Sequence, residues 1–180
     1  MLYAISNGEK VAPKKGAQAT CPICQSAVIP KCGDIKAWHW SHLSKDCDPW
    51  SEQETQWHLG WKEMFPPQNR EVVIGLHRAD VVTDSGVVVE FQHSPISPKE
   101  IKKREDFYGT KMIWVVDASS FVDNISIRNF QPKKFDWTRK QKRWLFSVRP
   151  LFFDMGEFLM YVVCFYNKKE NTYSPFDGEC

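Results

Sequence analysis

The sequence predicts an α/β fold behind a small N-terminal metal-binding module, and three observations carry that expectation. Two close pairs of soft ligands, Cys21 with Cys24 and His39 with His42, lie within the first fifty residues. Two apolar segments, 77–82 and 87–92, flank a short turn and carry acids that would face each other across a β-hairpin. Beyond them a capped helical segment leads into the apolar run 111–117, which makes a βαβ unit with parallel strands. The expected organisation is a zinc-binding module over 1–50 and an α/β domain over 51–180, with a basic, aromatic C-terminal part.

In the first module, Cys21-Pro22-Ile23-Cys24 and His39-Trp40-Ser41-His42 form C-x2-C and H-x2-H pairs with fourteen residues between them. Four such ligands in two close pairs suit a closed tetrahedral zinc site, which is structural because it leaves no position open for water. Cys32 and Cys47 are spare ligands, and Cys47 could replace one of the histidines. The alternative is a pair of reduced thiols in a turn. Metal binding, at about 10 kcal/mol for a structural finger, would explain how a segment poor in aliphatics folds.

Asp48-Pro49-Trp50 reads as a linker. Ser51 with Glu54 then forms a capping box for a helix that Pro66-Pro67 ends. Glu54, His58 and Lys62 recur at i, i+4 and i+8 on one face, beside Trp57, Trp61 and Phe65. Helix capping accounts for Glu54, and a solvated stripe accounts equally well for His58 and Lys62. Residues 71–82 read as one strand. The loop Asp84-Ser85-Gly86 fits a three-residue hairpin with Gly86 left-handed, which makes Thr83 face Val87 and Asp80 face Glu90, with Cβ atoms roughly 5 Å apart. Gln92 shares the face of Glu90. Two carboxylates so close repel each other, and a hard divalent cation is the usual remedy. Acids also decorate exposed hairpins, but Val87, Val88, Val89 and Phe91 make this strand apolar on both faces, where a carboxylate needs a metal or a partner. Next, Ser97 caps a helix, Pro98 takes its first position, Glu100 completes the box and Gly109 stops it, with Arg104 and Tyr108 one turn apart. Segments 151–153 and 157–166 read as strands, and the last dozen residues as a loose tail.

Net charge is only +2, so the chain is not a polycation, yet Lys133, Lys134, Arg139, Lys140, Lys142, Arg143 and Arg149 cluster against the single acid Asp136. With Trp137 and Trp144 nearby, this segment offers backbone contacts and base stacking to nucleic acid, or else a charged solvated helix. No run reaches the eighteen apolar residues of a membrane span, and Met1-Leu2-Tyr3-Ala4-Ile5-Ser6 lacks the pattern of a signal peptide. A cytoplasmic setting is expected, where six cysteines point to ligation or free thiols rather than disulfides.

Together CPIC, WHWSH, ETQWH, HRADV, EFQHSPIS, REDFY and MIWVVD, spread over roughly residues 10 to 120, resemble the competence protein CoiA-like nuclease family, including its short bacteriophage members. The resemblance implies a restriction-endonuclease-like PD-(D/E)xK fold with an αβββαβ core. By the same resemblance Asp80 is the metal-binding aspartate, Glu90 the second acid and Glu54 the acid from the first core helix. Gln92 stands where the superfamily usually has lysine. An amide cannot serve as a general base, though it can orient water or coordinate a metal.

The expected function is metal-dependent hydrolysis of a DNA backbone, with Mg²⁺ or Mn²⁺ held by Asp80 and Glu90, aided by the Phe91 carbonyl and Glu54. Arg104, Tyr108, His58 and Lys62 are the candidate substrate contacts. Single-stranded, duplex and branched DNA are equally open as partners, as are recombination proteins or a second copy of the chain. The rival expectation is a catalytically weak, zinc-containing DNA-binding or recombination accessory protein, with Gln92 as its mark. An adaptor that binds proteins through exposed aromatics is a third.

Overall fold

Hydrophobic alternation, tight turns and two capped helices account for most of the regular structure. The computed structural model describes residues 1–52, 54–128, 134–137, 142–162, 164–167 and 172–175, which group by contact into two units, Met1–Ser85 and Gly86–Cys180.

The first unit opens with five short antiparallel strands in the order β2-β1-β3-β4-β5: β1 (Ala4–Ser6), β2 (Glu9–Val11), β3 (Ala19–Thr20), β4 (Ala27–Lys31) and β5 (His39–His42). Asn7 and Gly8, at φ 51° and 81°, make the two-residue turn between β1 and β2 that matches the twist of paired strands. Ala4, Ala19, Val28 and Trp40 pack into a small core together with Cys21. Trp40 satisfies its indole N–H at the Val11 carbonyl, 3.1 Å away.

Helix α1 (Gln56–Glu63) follows, then β6 (Arg70–Ile74) and β7 (His77–Val82), an antiparallel pair. Three sequence expectations change here. Thr55, not Ser51, caps α1: its hydroxyl accepts from the His58 amide, and Glu54 lies before the helix. The single strand expected over 71–82 is a hairpin, because Gly75 at φ 57° supplies the left-handed residue of a two-residue turn. The expected linker is a fastening. Asp48 is buried and accepts from the Trp50 amide (3.0 Å), the Arg78 amide (2.9 Å) and His77 Nδ1 (2.9 Å), while the Trp50 ring stacks on His77.

In the second unit, β8 (Val88–Gln92) is buried at every position, as an apolar run on both faces requires. Helix α2 (Pro98–Tyr108) is capped by the Ser97 hydroxyl and stopped by Gly109 at φ 75°, as expected. It leads to β9 (Met112–Asp117), parallel to β8 with Glu90 beside Trp114 and Gln92 beside Val116. After β10 (Ile125–Arg128) and β11 (Lys134–Trp137), an antiparallel pair, β12 (Leu151–Asp154) adds parallel to β9, and β13 (Leu159–Val162) closes that edge antiparallel. Strands β14 (Cys164–Asn167) and β15 (Thr172–Pro175) pair antiparallel, so part of the expected loose tail is a strand. No helix among the described residues is long and apolar enough to cross a membrane.

Helix α2 turns Ile101, Arg104 and Glu105 inward. Glu105, 2 % exposed, accepts from Trp114 Nε1 (3.0 Å), the Ser147 hydroxyl (2.6 Å) and the Val148 amide (3.1 Å). One carboxylate thus joins the helix, the central strand and the segment before β12. Glu105→Ala strands the buried Trp114 indole N–H and removes the partners of the less buried Ser147 and Val148 donors, and should cost about 2 kcal/mol of stability in urea unfolding; a loss under about 0.5 kcal/mol, the level of an ordinary surface change, would remove this residue from that role.

Candidate functional site

A sharp turn builds the first cluster. Cys21 donates its amide to the Ser26 carbonyl (2.8 Å) and accepts at its own carbonyl from Gln25 (3.0 Å), whose φ of 62° closes the loop. The Ile23 amide points at Cys21 Sγ, 3.4 Å away. β5 then delivers His42 and the following loop Cys47, so that one atom from each of Cys21, Cys24, His42 and Cys47 lies within 4.8 Å of all the others. Cys21 Sγ and Cys47 Sγ are 3.6 Å apart, and Cys24 Sγ and His42 Nε2 are 3.4 Å apart. Bonds of about 2.3 Å to sulfur and about 2.0 Å to nitrogen give a zinc tetrahedron edges of about 3.8 and 3.5 Å, so the four atoms fit that ion.

His39 does not join this group. On an extended strand, residues three apart face opposite sides, so His39 and His42 cannot both reach one ion. His39 shares the face of Ser41, and its Nδ1–H donates to the Ala37 carbonyl (2.8 Å). Cys47 takes the fourth place, and Cys32 stays out. Hydrogen bonding with Ser26 lowers the Cys24 thiol to about 6, while burial, reinforced by the neighbouring Cys21 and Cys24 sulfurs, raises Cys47 to about 12. Asp46 lies 3.7 Å from His42 Nδ1, on the side where a carboxylate orients a metal-bound imidazole.

The second cluster centres on Lys62, which is 1 % exposed. The 3.6-residue period puts His58 and Lys62 on one face of α1, and that face is the buried one. Lys62 Nζ reaches Glu54 Oε1 (2.6 Å), Asp80 Oδ1 (2.8 Å) and Glu71 Oε1 (3.6 Å). Burial opposes the lysine charge, but Asp80, Glu54 and Glu71 together hold it above the usual lysine range. Burial and the nearby Glu71 and Asp80 carboxylates raise Glu54 against the pull of Lys62. Glu71 is fully buried, which opposes its charge, yet Lys62, Arg78 and the Tyr3 amide bring it down to about 2. Its other oxygen accepts from the Leu2 (2.7 Å) and Tyr3 (3.2 Å) amides and faces Arg78 Nε at 3.8 Å. Glu71 adopts φ 47°, a left-handed backbone that costs a non-glycine residue energy and is found where surroundings enforce it. Sequence reading passed over Glu71 because nothing in Arg70-Glu71-Val72 signals that backbone.

In the second unit, Glu90 and Gln92 lie buried on β8. Arg104, read from the sequence as a phosphate contact, is turned inward instead: Nη1 lies 3.3 Å from Glu90 Oε2 and Nε 3.6 Å from Glu100 Oε1. The Gln92 amide donates to the Ser94 carbonyl (2.8 Å). Tyr108 is half-buried edge-on to Phe107. His58 likewise is buried, with Nδ1 2.9 Å from Thr55 Oγ1. A phosphate contact from Lys62 or Arg104 would have to break these ion pairs. Of the basic segment, Lys133, Arg139 and Lys140 lie outside the described residues; Arg149 Nη2 approaches the Glu105 carbonyl at 3.5 Å, and Trp144 is buried.

Protein purified without added metal should carry one zinc per chain by elemental analysis. Cys21→Ser and Cys47→Ser should lose it and melt at lower temperature, whereas His39→Gln should keep it; the opposite pattern for Cys47 and His39 would reject the four-ligand set. A second expectation concerns acid. Glu71 binds its proton less readily folded than unfolded, so its stabilisation is complete above about pH 4.5 and is lost as pH falls toward about 2. Glu71→Gln should therefore flatten the fall in unfolding free energy across that window, and an unaltered slope would count against the pairing.

Two family models match the chain. The N-terminal domain of competence protein CoiA matches residues 5–49, the segment that holds the Cys/His cluster. The nuclease-like domain of the same protein matches residues 75–174, more than half of the chain, including Asp80, Glu90 and Gln92. No curated protein and no solved structure matches significantly. With the N-terminal and nuclease-like domain models matched in order, the chain belongs to the competence protein CoiA family.

Proposed function

We propose that this chain is a metal-dependent nuclease that hydrolyses the DNA backbone in DNA uptake or recombination. The observation that carries the reading is the meeting of Glu54, Glu71 and Asp80 around a single nitrogen, in a chain whose residues 75–174 match a nuclease-like domain. An all-oxygen donor set is the kind that hard divalent cations take, and the buried ammonium shows that these oxygens stabilise positive charge. The order helix, three strands, helix, strand along residues 56–117 further supports a PD-(D/E)xK core.

In this reading Asp80, with Glu54, supplies ligand oxygens from the first unit. Glu90 and the Phe91 carbonyl enter on the hairpin register read from the sequence. A bound Mg²⁺ or Mn²⁺ supplies a water of lowered pKa and neutralises charge on the scissile phosphate. Lys62 lies between Glu54 and Asp80 and fixes their separation. Arg104, reaching Glu90 from α2, fixes that carboxylate in the same way. Gln92, tied to Ser94, orients rather than titrates. The Cys/His cluster holds zinc in a structural role.

Cleavage of single-stranded, duplex and branched DNA with Mg²⁺ or Mn²⁺ tests the reading. Asp80→Asn and Glu90→Gln preserve shape and should each lower the rate by about a thousandfold, since a metal contributes several kcal/mol to the transition state. Both should retain zinc and remain folded. Full activity in Asp80→Asn would place the chemistry elsewhere. An unmodified protein that binds DNA yet is inert with both ions would instead be the accessory protein that Gln92 suggests.

A further inference from the structure

The carboxyl ends of parallel strands are where open α/β sheets gather ligand-binding side chains. β8 ends at Gln92 and β9 at Asp117, and the residues next along each strand line a cavity of about 300 Å³. Its polar lining is His93, Ser94, Asp117, Ser119, Ser120 and Arg143. Trp144 closes one side, braced edge-on against Trp114 at 5.4 Å. The proposed cleavage chemistry uses none of these side chains.

Asp117 is engaged within the fold. Its Oδ2 lies 2.6 Å from His93 Nδ1, and its Oδ1 accepts from the Ser119 amide at 2.8 Å. The carboxylate thereby fixes the imidazole, whose side chain is 41 % exposed, at the cavity edge. Among the described lining residues Arg143 carries the permanent positive charge, and its planar fork of donors matches a tetrahedral oxyanion. The hydroxyls of Ser94, Ser119 and Ser120 add neutral donors. The volume admits a phosphate with its sugar.

We propose that this cavity binds a phosphate group of a nucleic-acid strand, through Arg143, His93 and the serine hydroxyls, as a subsite that holds substrate without taking part in cleavage. The proposal rests on the reading of the chain as one that acts on nucleic acid. Two sources share the chemistry, a terminal phosphomonoester and an internal phosphodiester.

The test is anisotropy of a short single-stranded oligonucleotide, with a 5′-phosphate or a 5′-hydroxyl, in buffer free of magnesium and manganese so that binding is read without cleavage. Arg143→Gln should weaken binding about tenfold and lower the log-log salt slope by about 0.7. His93→Gln should weaken it about threefold, as loss of one hydrogen bond does. Inorganic phosphate should compete for the unmodified protein and not for Arg143→Gln. A 5′-phosphate preference that vanishes in Arg143→Gln identifies a terminal group; equal weakening of both oligonucleotides identifies an internal phosphodiester. Thermal melts check that both variants fold, and should one fail to fold the other carries the test. Unchanged affinity and slope in these variants would overturn the subsite alone. An unmodified protein that binds no nucleic acid would overturn the functional reading with it.

Discussion

The buried ammonium of Lys62 sets the terms for the first unit. Removing a charged amine from water costs several kcal/mol unless oxygens of good geometry replace the lost hydration. Glu54, Asp80 and Glu71 provide them from three separate pieces of chain: the approach to α1, strand β7 and strand β6. Three carboxylates around one cation would in turn repel one another. Arg78 and two backbone amides relieve that repulsion at Glu71, the most deeply enclosed of the three. The cluster is stable only as a whole, so α1 and the β6–β7 hairpin are locked in register by charge rather than by apolar packing. This accounts for the strained backbone at Glu71, since an ordinary extended residue there would place its side chain by the regular alternation of the strand.

The Cys/His cluster repeats this logic with soft ligands and carries it into the hydrophobic core. Cys21 is at once a candidate ligand and part of the apolar cluster with Ala4, Val28 and Trp40. A metal held there would stabilise a core too small to fold on apolar burial alone. The effect does not stop at the cluster. Cys47 is followed directly by Asp48, whose carboxylate fixes the Arg78 amide and the His77 ring at the start of β7. Asp80 lies two residues further along the same strand. A change at the fourth ligand is therefore transmitted, through one buried carboxylate, to the strand that presents the candidate catalytic aspartate.

Much of the fold was legible because its signals are local. The cap at Ser97, the stop at Gly109 and the apolar run of β8 need nothing beyond neighbouring residues, and all are found as read. The errors came where a local signal had a competitor. Ser51 with Glu54 makes a good capping box, but Thr55 also caps, and Glu54 is drawn off by Lys62. His39 and His42 have metal-ligand spacing for a helix or loop, yet they fall on a strand, where that spacing divides them between two faces. The Asn7-Gly8 turn was legible and was overlooked. For the Lys62 cluster, Glu54, Lys62 and Asp80 were found as residues but not as partners, and Glu71 was not found, because which carboxylate meets which ammonium depends on packing between segments far apart in the chain. The positive φ of Glu71 left no trace in the residue type.

Gln92 gains a physical rationale from the charges around it. It shares a strand face with Glu90, and it is 1 % exposed. Glu90 already has a cation, since Arg104 approaches it at 3.3 Å from α2. A lysine at position 92 would bury a second cation beside that single carboxylate, and the excess charge would have no counterpart on β8. An amide fits the same volume without charge and satisfies its donor at the Ser94 carbonyl. Among the described residues the buried lysine stands instead on α1, where three carboxylates meet it. Glutamine at 92 is thus a side chain that leaves the Glu90–Arg104 pair undisturbed.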